Sequence, residues 1–229
     1  MNFWFLKKKS AEHPPLDGFI DWHSHILPGV DDGVKSMDET LAILEDYEKL
    51  GVKEVWFTPH IMEDIPNSTA FLLEKFEEVR DRYKGKTMIR LGSENMLDSL
   101  FEERLAADDL LPIGTSGKHL LVETSYFNPP FNLQGIFQRI IEKGYIPLLA
   151  HPERYIYMNR KDFVEYSRMG VVFQISLPSL LGYYDKDVRK KAEWLRNHFR
   201  GYFIGTDIHS DKMLEWIIRH LDKKRNLLY

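Results

Sequence analysis

The sequence predicts an α/β fold, a single barrel of parallel strands joined by helices. Short apolar runs rich in aromatic and β-branched residues alternate with amphipathic stretches of helical periodicity. Each of seven runs ends in a polar residue, and successive ends lie 25 to 35 residues apart, which is one strand–helix unit per step. No G-x-G-x-x-G motif follows a run, so an open dinucleotide-binding sheet is disfavoured.

The elements follow from this alternation. Strands are predicted at residues 18–25, 52–60, 87–94, 119–125, 145–153, 171–176 and 201–209. Helices are predicted at residues 36–51, 68–84, 132–144, 160–169, 185–199 and 211–225. The first helix shows the reasoning, because Ser36 and Glu39 form a capping box and Gly51 suits the residue after the last turn. Residues 1–17 are predicted to be an N-terminal tail and residues 18–229 one domain, as barrels of this length commonly are.

Composition excludes several functions. The chain has 229 residues and a net charge of −4, without the basic excess of a nucleic-acid-binding protein. It contains no run of 18 apolar residues that could span a membrane, and its N-terminus lacks the order of a secretory signal, so we expect a cytoplasmic protein. Cysteine is absent, which excludes disulfides, thiolate zinc sites and cysteine nucleophiles. Any bound metal must therefore use nitrogen and oxygen ligands.

Two short motifs are typical of metal chelation. His23 and His25 form His-x-His on the first predicted strand, where side chains at i and i+2 point to the same face. Asp207 and His209 repeat this spacing on the last predicted strand. Closure of a barrel would place that strand beside the first, so the two pairs are expected to meet.

Four further polar residues end other strands, namely His60, Glu94, Glu123 and His151. Each alone could be structural, as a loop residue, a helix N-terminal charge or a hydrogen-bonded core histidine. Their convergence at the carboxyl ends of barrel strands, where active sites lie, favours a shared site. A cation there would offset the cost of burying carboxylates.

The loop after the first strand contains Asp31 and Asp32 between glycines. Such residues usually serve a turn, but one of them could be a further ligand. The other histidines are interpreted as structural. His119 begins a strand and lies at the wrong end of the barrel, whereas the rest lie in the tail or on helices, at His13, His198 and His220.

The candidate ligands are His23, His25, Asp32, His60, Glu94, Glu123, His151, Asp207 and His209. Nine ligands exceed what one zinc needs and suit two or three divalent ions. Three ions and four carboxylates would leave a net charge of +2, which matches a phosphate dianion. Closely spaced ions lower the pKa of a shared water, so a metal-bound hydroxide could be the nucleophile. Arg154 could contact the phosphate or the leaving group, or could pair with Glu153 at the surface.

Several motifs together resemble one superfamily. They are Asp21-Trp22-His23-Ser24-His25, Val30-Asp31-Asp32-Gly33, Gly92-Ser93-Glu94, Glu123, His151-Pro152-Glu153-Arg154-Tyr155 and Thr206-Asp207-Ile208-His209. This ordered set resembles the PHP (polymerase and histidinol phosphatase) superfamily. Within it, the set is most similar to the CpsB/CapC branch, the manganese-dependent protein-tyrosine phosphatases of bacterial capsule and exopolysaccharide systems. The resemblance runs from about residue 18 to residue 211.

The resemblance implies a distorted, TIM-like (β/α)7 barrel of the PHP type with a trinuclear site. It implies three ligand sets: His23, His25 and Asp207 with a bridging Glu94; Glu94, Glu123 and His151; and Asp32, His60 and His209. It favours Asp32 over Asp31 as a ligand and places Arg154 near the phosphate. Manganese is the metal it implies, with iron, zinc and magnesium as alternatives. The implied substrate is a phosphotyrosine protein, the tail of a bacterial tyrosine kinase.

Some positions depart from the family pattern. No basic residue follows His60, and Lys212 is the nearest basic residue after the Asp-x-His pair. Met62, Ile65 and Phe127 lie in predicted rim loops, where they could contact an aromatic ring or pack within the loops. Two rival functions are kept: a phosphatase for histidinol phosphate or another small phosphoester, and a non-catalytic barrel that binds metal or a phosphopeptide.

Overall fold

A computed structural model describes residues 14–221, and within them the chain alternates short strands with helices. The strands are β1 (Ile20–Ser24), β2 (Glu54–Phe57), β3 (His60–Ile61), β4 (Met88–Leu91), β5 (Glu94–Met96), β6 (His119–Glu123), β7 (Ile146–Ala150), β8 (Val172–Ser176) and β9 (Phe203–Gly205). The α-helices are α1 (Met37–Leu50), α2 (Thr69–Arg82), α3 (Ser99–Ala107), α4 (Leu133–Glu142), α5 (Arg160–Met169), α6 (Leu177–Leu181), α7 (Lys186–His198) and α8 (Asp211–Leu221).

All strand pairs in the two sheets are parallel, so the predicted α/β class is confirmed. One sheet has the order β1-β2-β4, and the other has the order β3-β5-β6-β7-β8-β9. Two predicted strands are each divided in two. The strand predicted at residues 52–60 divides at Pro59, which has no N–H to donate to a ladder. The second divides at Gly92, where a Cβ would lie 2.2 Å from Ile113 Cγ2.

The last predicted strand lies beside the first. The backbone N–H of Asp207 donates to the carbonyl of His23 at 2.7 Å, and that of His25 donates to the carbonyl of Ile208 at 2.9 Å. Buried Asp21 adds to this contact, because its carboxylate accepts hydrogen bonds from the backbone and hydroxyl of Thr206. The two motifs that the sequence marked as chelates are therefore neighbours.

The core lies mainly between the sheets and the helices. One cluster joins β2 and β4 to α1, α2 and α8 and contains Ile43, Tyr47 and Phe57. A second cluster joins β6, β7 and β8 to α4, α5 and α7 and contains Phe137 and Phe163. The helix periodicity read from the sequence thus marks the buried faces, as amphipathic packing requires.

The helix predictions are confirmed at six places, although residues 222–225 lie outside the described part of the chain. Ser36 accepts from the backbone of Glu39, and Gly51 ends α1 with φ 83°. Two helices were missed. Helix α6 has only five residues and follows β8 without a loop, so its apolar sequence shows no separate periodicity. Helix α3 has nine residues and is capped by Asp98.

The N-terminal segment is described only from Pro14 onward, so the prediction of a tail lies largely outside the described residues. Leu16 is buried in the first core cluster, and its N–H donates to the carbonyl of Leu50 at 2.8 Å. Between residues 14 and 221, no helix has the length and apolar character needed to cross a membrane.

Candidate metal centre

A register shift in β1 directs His23 toward the site. Asp21 pairs with Val55, and its carboxylate accepts from the hydroxyl of Tyr47 on α1. The register shifts between Asp21 and Ser24, and His23 then faces β8, where its Nδ1 donates to Gln174 Oε1 at 2.9 Å. Such bulges occur beside active sites because they re-aim a side chain. Close approach also requires Gly205, since a Cβ there would lie 2.4 Å from His23 Cβ.

The two histidines of the first motif face each other, and a second group orients each of them. His23 Nε2 and His25 Nε2 are 3.0 Å apart. With His23 Nδ1 bonded to Gln174 and His25 Nδ1 donating to Asp31 Oδ2 at 2.9 Å, both Nε2 atoms point into the same space. Metal-binding imidazoles are commonly fixed in this way by a carbonyl or carboxylate on the other nitrogen. Gln174 was missed, because a lone glutamine on a strand gives no chemical signal.

Glu94 is the centre of the cluster. Its side chain is fully buried, and Oε2 lies 3.2 Å from His23 Nε2, His25 Nε2 and His60 Nδ1. Its other oxygen, Oε1, lies 3.0 Å from His151 Nε2. One carboxylate thus contacts four imidazoles that come from three separate parts of the chain.

Glu123 and Asp207 flank Glu94. Glu123 Oε1 lies 2.9 Å from His60 Nδ1, and Asp207 Oδ1 lies 3.5 and 3.4 Å from the Nε2 atoms of His23 and His25. The prediction that Asp207 and His209 lie on the last strand is wrong, because β9 ends at Gly205. Asp207 instead adopts φ 52°, in the left-handed region that non-glycine residues rarely occupy.

His151 shares this unusual backbone, with φ 33°. The other non-glycine residues with positive φ among residues 14–221 are Asp108 and Asn132, which are helix caps. His151 precedes the short 3-10 helix Pro152–Arg154 but forms no side-chain cap there, and both His151 and Asp207 present their side chains to the cluster. Strained backbone of this kind concentrates at functional sites.

The two loop aspartates have different positions. The Asp31 side chain is buried, and besides His25 it accepts from the backbone N–H of His60 and Gly33. Asp32 is 66% exposed, and its Oδ1 lies 3.5 Å from both His60 Nε2 and His209 Nε2. Asp31 therefore orients a histidine, whereas Asp32 is placed to offer an oxygen to a ligand at the mouth.

All nine candidate ligands come together in four overlapping groups that could hold a cation. The groups are His25–Asp32–His60–His209, His23–His25–Asp207, His23–Glu94–His151 and His60–Glu94–Glu123. Within each group, ligand atoms lie within 4.8 Å of one another. The grouping differs in detail from the sets that the resemblance implies, because His60 faces both Glu94 and Glu123, and His151 faces Glu94 together with His23.

The electrostatics of the cluster call for positive charge. Burial opposes charge on His23, but the carboxylates of Glu94 and Asp207 outweigh it and raise the pKa of His23 to about 9. Burial likewise opposes charge on Glu94, yet the neighbouring imidazoles, His23 foremost, hold its pKa well below the usual range. Glu94 thus stays ionised, and protons on imidazoles or bound cations must balance its charge.

Several buried side-chain atoms of the cluster also form no aligned hydrogen bond within the described residues, although some of them lie 2.9 to 3.2 Å from a polar atom of opposite type. They are His60 Nδ1, Glu94 Oε2, Glu123 Oε1 and His151 Nδ1. A buried polar atom without a partner is costly, and coordination to a metal is one way to offset that cost. The donor set, which contains only imidazole nitrogen and carboxylate oxygen, fits a site for divalent metal ions.

Arg154 joins this centre through Asp207. Its Nη1 donates to Asp207 Oδ2 at 2.7 Å. The alternative of a surface ion pair with Glu153 is wrong, because Glu153 is buried and its Oε1 accepts from the backbone N–H of Ser176. Asp207 therefore presents one oxygen to the histidine pair and the other to the arginine.

The remaining rim candidates form no hydrogen bond or ion pair with the cluster among the described residues. Met62 and Ile65 form a short antiparallel bridge with each other, which supports their role in loop packing. Phe127 is 66% exposed in the loop after β6. Lys212 lies exposed at the start of α8, and its N–H donates to Asp211.

The histidines interpreted as structural lie away from the cluster. His119 begins β6 and contacts the ring of Phe203. His198 stacks on Trp194 within α7, and His220 stacks on Trp216 within α8 in the same way. His13 lies outside the described residues.

Comparison with known proteins agrees with this geometry. A family model described as "Capsular polysaccharide synthesis, CpsB/CapC" matches residues 19–223. The chain is 28% identical over 214 residues to a putative tyrosine-protein phosphatase, CapC of Staphylococcus aureus, covering 91% of this chain and 84% of CapC. It is 30% identical over 206 residues to the tyrosine-protein phosphatase CpsB of Streptococcus pneumoniae, covering 83% of each chain.

A solved structure gives the same result. It comes from work on YwqE from Bacillus subtilis and CpsB from Streptococcus pneumoniae, described as unique metal-dependent tyrosine phosphatases. The match has a TM-score of 0.76 and 25% identity and covers 91% of this chain and 93% of that chain. With the family model matching most of its length, this chain belongs to the CpsB/CapC family of capsular polysaccharide synthesis.

Proposed function

We propose that the chain is a metal-dependent protein-tyrosine phosphatase. The observation that carries this proposal is the presence of four overlapping ligand groups, two of which share Glu94, beside a charged arginine at the rim. Such a centre is suited to a phosphate dianion, because clustered cations and arginine both attract phosphate oxygens. The family relatives named as tyrosine-protein phosphatases support the choice of reaction.

The proposed reaction needs no protein nucleophile. A water oxygen forms a bond to phosphorus, the bond from phosphorus to the tyrosine oxygen breaks, and the phenolate leaves as tyrosine after taking a proton. When bound, divalent ions would polarise the phosphate and make a water acidic at neutral pH. Arg154 donates hydrogen bonds to the phosphate or to the leaving oxygen, and a phenolate with a conjugate-acid pKa of about 10 leaves readily.

We propose that two or three divalent ions bind, with manganese as the native metal and iron, zinc or magnesium as alternatives. The proposed ligands are the nine residues of the four groups. Their number exceeds the needs of one ion, and their nitrogen and oxygen atoms suit any of these metals, so availability in the cell decides occupancy.

We further propose that the substrate is the phosphorylated tail of a bacterial tyrosine kinase, reached in the cytoplasm. The naming of the family after capsular polysaccharide synthesis supports this choice over a small phosphoester. Exposed Phe127 and Lys212 remain candidates for contact with such a polypeptide, in addition to Arg154.

We also infer that the two sheets are parts of one distorted, TIM-like (β/α)7 barrel, formed by residues 18–229. Strand β2 continues into β3, and β4 continues into β5, so the nine strands correspond to seven strands of a barrel. The backbone hydrogen bonds between His23 and Asp207 and between His25 and Ile208 support closure between the first and last of these strands.

The test measures metal content together with phosphate release from the purified full-length chain. The panel contains a phosphotyrosyl peptide, a phosphoseryl peptide, histidinol phosphate and p-nitrophenyl phosphate, each with added manganese and with a strong chelator. We expect two or three ions per chain, release from the phosphotyrosyl peptide and p-nitrophenyl phosphate, and loss of activity with chelator.

Two outcomes would contradict the proposal. Rapid turnover of histidinol phosphate with an inert phosphotyrosyl peptide would establish the small-molecule phosphatase instead. Tight binding of the phosphopeptide without phosphate release in manganese would establish a non-catalytic barrel that binds phosphopeptides. A phosphate-release assay of His23→Ala, with His119→Gln as a matched histidine control, separates metal-dependent activity from a contaminant.

A further inference from the structure

The guanidinium of Arg154 lies over two tyrosine rings. Its Cζ is 4.4 Å from the ring centre of Tyr126 and 4.6 Å from that of Tyr184. These two residues are called the tyrosine pair below. A third contact comes from Asp207, which accepts from Nη1 at 2.7 Å. Two aromatic faces and one carboxylate thus surround a single cation.

The groups around Arg154 come from separate segments. Tyr126 lies in the loop after β6, Arg154 lies in the turn after β7, and Tyr184 lies between α6 and α7. The loops are tied together, because the backbone N–H of Ile156 donates to the carbonyl of Tyr126 at 3.0 Å. The contact is therefore a product of the tertiary fold, and no sequence motif announces it.

Each ring is itself held in place. The Tyr126 ring contacts the rings of His151 and Tyr155, with centres 5.7 and 6.0 Å apart. The Tyr184 ring packs edge-on against Tyr183 at 5.1 Å. Burial raises the pKa of both phenols of the tyrosine pair, so both rings stay neutral beside the cation.

A fixed arginine is useful at a phosphate site. An arginine side chain has several free rotations, and their loss on binding costs free energy unless the side chain is already ordered. A guanidinium has five N–H donors, and the bond to Asp207 uses one of them. Stacking on aromatic faces orders the guanidinium plane without using its in-plane donors.

We propose that Tyr126 and Tyr184 are positioning residues that hold the Arg154 guanidinium ready for the phosphate of the substrate. This inference rests on the proposed function, because it assigns a phosphate to Arg154. The aromatic faces perform this role, and the phenol hydroxyls are dispensable for it.

The test compares the variants Y126L, Y184L, Y126F and Y184F with the wild type. The matched control is Y145L, which removes a tyrosine just before β7, at the opposite end of that strand from Arg154. The readouts are KM and kcat for a phosphotyrosyl peptide and for p-nitrophenyl phosphate, and the dissociation constant of inorganic phosphate by calorimetry. Metal content and melting temperature report on folding.

We expect each leucine variant to raise KM and the phosphate dissociation constant about three- to tenfold, with metal content unchanged. The phenylalanine variants and Y145L should stay within about twofold of the wild type. In an R154A background, the leucine substitutions should have no further effect, because they act through the arginine.

Three results would overturn the proposal: leucine variants that bind phosphate as tightly as the wild type, phenylalanine variants as impaired as leucine variants, or an undiminished effect in the R154A background. Failure of the proposed function is a separate result. It would show as no phosphate release by the wild-type chain, whereas the tyrosine pair is judged on ratios of phosphate binding between variants.

Discussion

The same strands carry two different interiors a few residues apart. At their carboxyl ends, imidazoles and carboxylates are buried, several of them with atoms that form no aligned hydrogen bond to another described residue. Just before those ends, Trp22 stacks on Trp56 at 5.9 Å and meets Phe203 edge-on at 4.7 Å. Leu121 and Leu148 belong to the same cluster as these aromatic rings, and this cluster is called the apolar layer below.

The contrast separates stability from chemistry. The apolar layer is satisfied by its own packing, since hydrocarbon burial needs no further partner. The polar cluster is costly on its own, because its charges are buried and must be balanced. Variants of the apolar layer should therefore lower stability at constant metal affinity. Variants of the polar cluster should lower metal affinity at nearly constant stability.

The largest effect is expected from matched histidines at opposite ends of the strands. His23→Ala removes an imidazole that faces His25, Glu94 and Asp207, so it should lower metal content and reduce kcat/KM by about 10³-fold or more. His119→Gln, at the start of β6, should keep both. Metal analysis and phosphate release check the pair. Equal metal content and equal activity in the two variants would refute the separation between the polar cluster and the rest of the strands.

A large effect on stability is expected in the apolar layer. Leu148→Ala creates a cavity beneath the polar cluster and should lower the free energy of unfolding by about 2 to 5 kcal/mol. Denaturant unfolding measures this loss. Metal content and activity per folded molecule should stay near the wild-type values, and loss of metal by folded protein would show that the two regions are coupled.

A smaller effect is expected from the arginine at the rim. Arg154→Ala removes a charged hydrogen-bond donor from a centre whose proposed metal ligands remain, so kcat/KM should fall about 10- to 100-fold at full metal content. Steady-state kinetics with p-nitrophenyl phosphate checks this. Loss of metal as well would mean that Arg154 acts by holding Asp207 in place.

The smallest effect is expected from thiol reagents. The chain contains no cysteine, so iodoacetamide should leave activity unchanged, whereas a phosphatase with a thiolate nucleophile is inactivated. Progress curves of phosphate release before and after alkylation measure the difference. Inactivation would point to a cysteine-containing contaminant as the source of activity.

Much of this arrangement was predictable from the sequence. The regular alternation of strands and helices predicted where the strands end, and the chemistry of the residues near those ends identified all nine members of the ligand groups. Local geometry was harder to predict. The shift that turns His23 away from the face of Asp21 and the left-handed backbone of Asp207 depend on neighbouring strands rather than on nearby residues.

Orienting groups were the least visible in the sequence. Gln174 and Tyr184 have ordinary alternative roles, and their function follows only from what the fold brings next to them. Asp31 and Asp32 illustrate the same limit. The two adjacent carboxylates are chemically equivalent in sequence, and only the backbone of the loop buries one against His25 and exposes the other.

Anomalous X-ray diffraction from crystals grown with manganese tests the central claim most directly. Data on both sides of the manganese edge are expected to show two or three peaks among the ligand groups, with at least one peak in contact with His23, His25 and Asp207. The absence of any peak in that space, with manganese present and the protein active, would contradict the metal centre on which the proposed function rests.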